Sequence, residues 1–164
     1  MSKKKVSKSK SELPPFRAEW AAAASMRVAR ADAAAAAPTV GTWAGLLAVS
    51  GGLTGAGGKV SGVVEIYDPT TDVWTEGPAL ATPRYGHAMW VEPDGSFIVA
   101  GGRDATGAYL TSCERLSTSA VGELKSEAGT MVAVAIAGRR PHYQWLPAGD
   151  LPEARFRAAA VAFS

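Results

Sequence analysis

Side chains that commonly perform chemistry are few in this 164-residue chain, and their spacing fits no common catalytic motif. There are two histidines, His87 and His142, and a single cysteine, Cys113. The sequence has no zinc-binding spacing and no Gly-x-Ser-x-Gly elbow. The glycine-rich stretch 55–59 ends on a lysine, but it lacks the phosphate-loop spacing and falls between two predicted strands. The sequence therefore predicts no catalytic residue, no metal site and no cofactor.

The compartment is indicated by the cysteine and by the distribution of apolar residues. A lone cysteine excludes an intrachain disulfide and is typical of a reducing compartment. Cys113 lies in a predicted strand, so we expect it to behave as a small, inert hydrophobic residue. No apolar stretch has the length of a signal sequence core or of a membrane span. We expect a cytoplasmic protein without a membrane partner, with nuclear or cytoskeletal placement as alternatives.

Positive charge is concentrated at the N-terminus. Residues 1–19 hold six cations and two acids, whereas the rest of the chain holds eleven cations and thirteen acids. Residues 1–15 are rich in lysine and serine and too poor in apolar residues to pack, which predicts a disordered basic tail. Such a tail is suited to nucleic acid or another acidic polymer, to acidic protein tails, or to an import receptor, or it only aids solubility. Its lysines are Lys3, Lys4, Lys5, Lys8 and Lys10.

The elements that would position any functional residue are indicated by two glycine pairs. Phe97–Ala100 is an apolar run that ends on Gly101 and Gly102, and 46–50 is a similar run before Gly51 and Gly52. A run of β-forming residues that stops at glycine predicts a buried strand that ends in a sharp turn or a close backbone approach.

A second spacing repeats along the chain. A tryptophan is followed ten positions later by an arginine three times: Trp20 and Arg30, Trp74 and Arg84, and Trp145 and Arg155. Three positions after each arginine, a run of small or apolar residues begins. This periodicity favours extended structure over helix for the alanine-rich stretch 16–37, although alanine itself favours helix.

Each unit then divides into four predicted strands. In the second unit, Asp94 and Gly95 separate the runs 87–91 and 96–100, and Asp-Gly between such runs is typical of a β-hairpin. The third strands are predicted at 63–67 and 112–116, and a fourth begins at Val73 in the first unit. A polar, glycine-rich loop is expected after each glycine pair, at 53–61 and at 103–107.

These residues together resemble the kelch repeat. The first unit carries the glycine pair, the run Glu65-Ile66-Tyr67-Asp68-Pro69, Trp74, Pro78, and Arg84 with His87. In the second unit, Leu116 stands where the tyrosine is expected. Gly101 and Trp145 are 44 positions apart, against 23 for Gly51 and Trp74. The surplus is an insertion at about 117–141, either an extended hairpin or a loop specific to this protein.

The resemblance implies an all-β fold, a partial kelch β-propeller within residues 16–164. It implies two four-stranded antiparallel blades, units 27–75 and 81–146, extra terminal strands, and the start of a further blade at 151–164. The glycines would allow close approach near the crowded centre, and the tyrosine and tryptophans would pack between blades. The residues given this structural role are Gly51, Gly52, Tyr67, Trp74, Arg84, Gly101, Gly102, Trp145 and Arg155.

Two repeats fall short of a closed ring, because propellers have typically 4 to 8 blades. An open arc exposes apolar blade faces and strand edges that natural proteins cover. We therefore expect a fragment of a longer chain, a homo-oligomer, or a complex with a subunit that completes the ring.

The function implied by the resemblance is a non-enzymatic scaffold or adaptor that binds a protein partner through loops at the blade edges. The candidate loop residues are Arg103, Asp104, Tyr109, Lys125, Arg139 and Arg140. One alternative is a structural subunit of a large ribonucleoprotein or cytoskeletal assembly anchored by the basic tail. Another is a piece of a kelch enzyme, such as a sialic-acid epimerase. A copper oxidase is disfavoured, because two histidines are too few for its ligand set.

Overall fold

The computed structural model describes residues 21–117, 126–127, 130–131 and 143–158, which form β-strands, turns and loops without any helix. Accordingly, these residues contain no helix that could cross a membrane. The strands are β1 (Arg30–Ala31), β2 (Ala34–Ala36), β3 (Leu47–Ser50), β4 (Leu53–Thr54), β5 (Lys59–Val60), β6 (Val64–Asp68), β7 (Val73–Glu76), β8 (Ala88–Val91), β9 (Phe97–Ala100), β10 (Ser112–Ser117), β11 (Ser126–Glu127), β12 (Thr130–Met131) and β13 (Gln144–Asp150).

Two four-stranded antiparallel sheets confirm the predicted fold class. The first blade has the strand order β2-β3-β6-β7, and the second has the order β8-β9-β10-β13. In the described part of the alanine-rich stretch, residues 21–37, there is no helix, and Ala34–Ala36 pairs with Ala48–Ser50 of β3, as predicted. In the second blade, the Asp94-Gly95 turn joins β8 to β9. Gly95 has a φ of 84° there, and Asp94 accepts the Ser96 N–H at 2.9 Å.

The stretch 53–61 contains more order than the expected glycine-rich loop. It folds into a short hairpin of β4 and β5, and β1 pairs with β4 to give a three-stranded sheet. Gly55 and Gly58 adopt φ values of 69° and 63°, which residues with a side chain rarely adopt. Thr54 Oγ1 donates to the carbonyl of Lys59 at 3.2 Å. The glycines that suggested a loop therefore make a hairpin turn.

The insertion and the termini are described only in part. Within the insertion, β11 and β12 pair as a two-stranded antiparallel hairpin. Residues 151–158, the described part of the predicted further blade, contain no strand, and 159–164 lie outside the described residues. The basic tail and Trp20 also lie outside them.

The apolar core lies between the facing sides of the two blades. The first blade contributes Ala48, Val64 and Ile66, and Phe97 and Val99 of the second are fully buried. Trp43, from the loop before β3, packs its ring 6.3 Å from that of Phe97 and 4.8 Å from that of Tyr143. Each blade thus buries apolar surface that it could not bury alone.

Each blade is preceded by a linker that lies along its side, linker 1 (residues 24–30) before the first blade and linker 2 (78–84) before the second. We define linker 3 as the equivalent residues 149–155, which begin at the end of β13. Arg30 of linker 1 donates through Nη1 to the carbonyls of Gly51 and Val63 at 3.0 and 2.8 Å. Arg84 of linker 2 donates through Nη1 to the carbonyls of Gly101 and Ser112 at 2.9 and 2.8 Å. The same contacts therefore recur one blade further along.

A buried glutamate in each blade also binds the linker that precedes the blade. Glu65 pairs with Arg30 and accepts the Arg27 N–H at 2.7 Å. Glu114 pairs with Arg84 at 2.8 Å and accepts the N–H groups of Ala81 and Thr82 at 2.7 and 3.0 Å. These hydrogen bonds satisfy the carboxylates inside the protein, as buried charges require.

A tryptophan of each outer strand fixes the start of the linker. Trp74 Nε1 donates to the carbonyl of Ala24 at 2.8 Å, and Trp145 Nε1 donates to that of Pro78 at 2.9 Å. Tyr67 packs its ring 5.0 Å from that of Trp74 and donates its hydroxyl to Asp72. Linkers 1 and 2 are therefore each held in the same way. The tryptophan of the following blade binds the start of the linker, and the glutamate of that blade binds backbone N–H groups of the linker and the arginine at its end.

His87 lies at the boundary between the blades, next to Gly51. Its Nε2 is 2.8 Å from Ser50 Oγ, and its Nδ1 has no hydrogen-bond partner among the described residues. Burial, and secondarily the positive charge of Arg84, lowers the pKa of His87 from 6.5 to about 4. Folding therefore holds this imidazole in the neutral form.

Acidification should weaken the fold through His87. The unfolded chain binds a proton below pH 6.5, whereas the folded chain does not until about pH 4, so stability should fall between these values. The loss attributable to His87 should approach about 3 kcal/mol. Urea unfolding of the native chain and of His87→Gln across this window measures it. The variant should have a shallower pH dependence, and parallel curves would contradict the assignment.

Replacing the linker arginines should have unequal effects. Arg84→Met leaves the buried Glu114 without its charge partner and should cost about 3 to 5 kcal/mol. Arg155→Met is the matched control at the same linker position. Its side chain is 62% exposed, so this change should cost less than about 1 kcal/mol. Chemical denaturation measures both, and equal losses would contradict the role given to the Arg84–Glu114 pair.

Candidate protein-interaction surface

A row of left-handed backbone conformations positions the residues of this surface. Asp32, Gly86 and Arg157, each two positions after a linker arginine, have φ values of 51°, 60° and 54°. The N–H of Gly86 donates to the carbonyl of Asp32 at 2.8 Å, and the N–H of Arg157 donates to that of Gly86 at 2.6 Å. The Arg157 guanidinium also contacts both carboxylate oxygens of Asp32, at 3.1 and 2.8 Å. The row therefore joins the segments that lead into successive repeats.

The loop after Gly102 is held in place by hydrogen bonds to Tyr85 and by hydrogen bonds within the loop. Arg103 and Tyr85 exchange backbone hydrogen bonds of 3.0 and 3.1 Å, and the N–H of Leu110 donates to the carbonyl of Gly102. Asp104 accepts from the N–H and hydroxyl of Thr106 and from the N–H of Ala108. These bonds, foremost the one from the Thr106 hydroxyl, lower the pKa of Asp104. The carboxylate of Asp104 therefore organises the loop.

Aromatic rings and two arginines meet beside this loop. The Arg103 guanidinium lies over the Tyr109 ring at 4.4 Å and donates from Nε to the carbonyl of Gly107. The Phe156 ring packs edge-on against Tyr85 at 5.6 Å and against Tyr109 at 6.2 Å, and Arg157 lies over it at 5.1 Å. We call Tyr85, Arg103, Tyr109, Phe156 and Arg157 the aromatic–arginine surface. Tyr109 is 59% exposed, so this surface reaches solvent.

Glycine at position 86 makes room for the Phe156 ring. A Cβ built on Gly86 would lie 2.2 Å from Cε2 of Phe156, closer than real Cβ contacts allow. The positive φ of Gly86 is a second reason for glycine at this position. The arrangement of the aromatic rings therefore depends on a residue without a side chain.

The structure brings together only some of the residues proposed from the sequence. Arg103 and Tyr109 are in contact, whereas Asp104 bonds within its own loop. The remaining candidates, Lys125, Arg139, Arg140 and the tail lysines, lie outside the described residues.

Sequence reasoning missed Tyr85, Phe156 and Arg157. The available signal was position, because Phe156 follows Arg155 as Tyr85 follows Arg84. Sequence reasoning also missed Glu65 and Glu114, although a glutamate inside a buried strand needs a partner. Across the described ranges, no group of three or more His, Cys, Asp or Glu side chains is arranged to hold a metal ion.

Comparison with known proteins identifies the motif and the fold. Residues 34–81 match the family model described as the Kelch motif. The chain is 39% identical over 71 residues to human Kelch-like protein 33 and 44% identical over 99 residues to human Kelch-like protein 34. These alignments cover 41% and 57% of this chain but only 13% and 14% of the two relatives.

Among solved structures, that of YjhT, a kelch propeller, matches with a TM-score of 0.57 at 18% identity. The match covers 82% of this chain and 42% of YjhT, so this chain spans less than half of that protein. At this identity, the likeness shows the fold alone.

Adding a methyl group at position 86 should disturb the aromatic–arginine surface. Gly86→Ala combines an unfavourable φ with a clash against Phe156, and should cost roughly 2 to 3 kcal/mol. Gly55→Ala is the matched control, because Gly55 has a φ of 69° but no atom within 4 Å of the added Cβ. That variant should lose only about 1 to 2 kcal/mol. Denaturant unfolding compares them, and equal losses would argue against the packing role of Gly86.

Proposed function

We propose that this chain, a partial kelch propeller, is a non-enzymatic protein-interaction module that binds its partner through the aromatic–arginine surface. The observation that carries the proposal is the exposed Tyr109 ring under the Arg103 guanidinium, next to Phe156. Tyrosine and arginine are enriched among residues that dominate binding energies at protein interfaces. Exposed aromatic groups on an ordered loop lose little conformational entropy when they bind.

Among the described residues, the other large exposed apolar side chains form no comparable cluster. In the described part of the chain, Val40 and Val73 are 48% and 47% exposed. Val73 lies on β7, the outer strand of the first blade, and no aromatic–arginine group surrounds it in the described residues. Single exposed hydrophobic residues are normal on protein surfaces, whereas a group of them beside charged residues favours an interaction site.

The charges of the surface favour an acidic group on the partner. Arg157 is neutralised by Asp32, but Arg103 has no carboxylate partner among the described residues. A partner that places a carboxylate against Arg103 and an apolar side chain against Tyr109 would satisfy both groups. The naming of the relatives as Kelch-like proteins supports an interaction role in general. Cytoplasmic placement, a role for the insertion and anchoring by the basic tail remain proposals from the sequence.

Removal of the Tyr109 ring should abolish partner binding without unfolding the protein. Tyr109→Ser deletes an exposed aromatic side chain, and Val73→Ser is the control because it removes a similarly exposed apolar side chain elsewhere. Quantitative mass spectrometry of proteins captured by the native chain and by both variants tests the proposal. A specific partner should be retained by Val73→Ser and reduced at least about tenfold with Tyr109→Ser.

Thermal unfolding should give similar midpoints for the native chain and both variants, so that loss of binding reflects the surface. If every captured protein binds Tyr109→Ser as well as the native chain, the aromatic–arginine surface is not the interface.

A further inference from the structure

A groove lies at the end of the two blades that is opposite to the aromatic–arginine surface. Its walls are residues 37–40, which follow β2, and residues 91–93, which lie at the end of β8. The groove has a volume of about 280 Å³, and most of its lining side chains are apolar. It adjoins the turn before β9, whereas the aromatic–arginine surface adjoins the loop after β9. The two sites are therefore separate.

The two walls of the groove belong to loops whose backbones are in close contact. A Cβ built on Gly41 would lie 2.8 Å from the carbonyl oxygen of Asp94. A Cβ built on Gly95 would lie 2.3 Å from the carbonyl oxygen of Val40. Only glycine allows the loops to approach this closely. The groove is therefore a fixed feature of the boundary between the blades.

The insertion begins and ends at the same end of the second blade as the groove. β10 runs antiparallel to β9, so its last residue, Ser117, lies on the side of the turn that precedes β9. Ser117 pairs with Gln144 of β13, which follows the insertion. The chain of the insertion therefore leaves the blade and returns to it beside one wall of the groove.

A series of packed side chains joins the groove to the end of the insertion. Val91 of the groove pairs with Phe97, whose ring lies 6.3 Å from that of Trp43. The ring of Trp43 lies 4.8 Å from that of Tyr143. The Nε1 of Trp43 is buried and has no hydrogen-bond partner among the described residues, although buried polar groups are normally bonded. This indole therefore favours further chain packed beside Tyr143.

The insertion contains a segment that needs to be covered. Residues 131–137 are seven consecutive apolar residues without charge or proline, and 132–142 lie outside the described residues. Such segments promote aggregation when they are exposed. In an extended chain, Val132, Val134 and Ile136 would share one face, and alanines would occupy the other. One face of the segment would therefore carry the larger side chains.

The charges next to this segment complement the groove. Arg139 and Arg140 follow the apolar run after one glycine. Glu92, in the wall of the groove, accepts the Trp90 Nε1–H through Oε1 at 2.6 Å and has no ion-pair partner in the described part of the chain. The carboxylate of Glu92 is thus available to an arginine.

We propose that residues 131–137 of the insertion dock in this groove through the face formed by Val132, Val134 and Ile136. Arg139 or Arg140 then pairs with Glu92. The chain is long enough, because the six residues from 137 to 143 can span about 20 Å. Tyr143 is separated from the groove only by the ring contacts of 6.3 and 4.8 Å and one pair of neighbouring strand residues. The docked segment covers the boundary between the blades and leaves the aromatic–arginine surface free.

A disulfide scan tests the docking in the full chain. Cys113→Ala removes the native thiol, and Val40→Cys places a thiol at the groove, where the native side chain is 48% exposed. Residues 132–137 are then replaced by cysteine one at a time. Under mild oxidation, the fastest disulfide should form from position 132, 134 or 136, at least about tenfold faster than from the adjacent positions, because a disulfide requires closely placed Cβ atoms.

Mass spectrometry of the digested protein, with denaturing gels run without reductant, shows whether each disulfide lies within one chain. A disulfide within one chain, with the two-residue alternation, supports the proposal. Disulfides that form only between chains would show that a second copy fills the groove. Equal rates at adjacent positions, or no disulfide with position 40, would show that the segment does not dock there. Each of these last results would overturn the proposal.

The contact with Glu92 has its own matched test. Glu92→Gln keeps an acceptor for Trp90 but removes the negative charge. It should slow disulfide formation at the fastest position about two- to fivefold, the effect of a partly exposed ion pair. Glu76→Gln removes an exposed acid on β7, away from the groove, and should leave the rate unchanged. Equal rates for the two variants would overturn the pairing of Glu92 with an arginine of the insertion.

Discussion

The buried arginine–glutamate pair is the interaction on which the two blades depend. Arg84 and Glu114 are almost wholly removed from water, and a buried ion pair is favourable only when hydrogen bonds satisfy its remaining groups. Here they are satisfied by the carbonyls of a glycine turn and by amides of the linker. The same pair, Arg30 with Glu65, recurs in the first blade. The strict geometry of these pairs fixes how each linker, and hence each blade, is placed.

The candidate interaction surface follows from this placement. Because the linker holds Arg84 and Arg155 at defined positions, the residues that follow them form the row of Gly86 and Arg157. That row places Phe156 against Tyr85 and Tyr109, and the loop after Gly102 adds Arg103. The exposed Tyr109 is therefore presented by an ordered scaffold. Stability is supplied by the buried arginine–glutamate pairs, whereas the proposed recognition is assigned to different, neighbouring side chains.

Much of the architecture could be predicted from the sequence, because a repeated spacing reports a repeated structure. The glycine pairs and the tryptophan–arginine spacing predicted extended repeats, and the resemblance to the kelch repeat implied two four-stranded blades, which the two four-stranded sheets confirm. The hairpin at 53–61 was not predicted, because a short glycine-rich stretch looks the same in a loop and in a tight turn. The contact of Phe156 with Tyr109 could not be foreseen either, since it joins residues 47 positions apart through the left-handed row. Arg103 and Tyr109 were identified as loop residues, but their stacking depends on the detailed path of the loop.

The most direct measurement of the central claim is hydrogen exchange at equivalent linker amides. The Thr82 N–H is bonded to the carboxylate of Glu114, whereas Glu153, its equivalent in linker 3, faces no such carboxylate among the described residues. The account predicts that Thr82 exchanges only on opening of the second blade, far more slowly than Glu153. Equal and rapid exchange at both amides would show that the glutamate does not hold the linker, and would contradict the account.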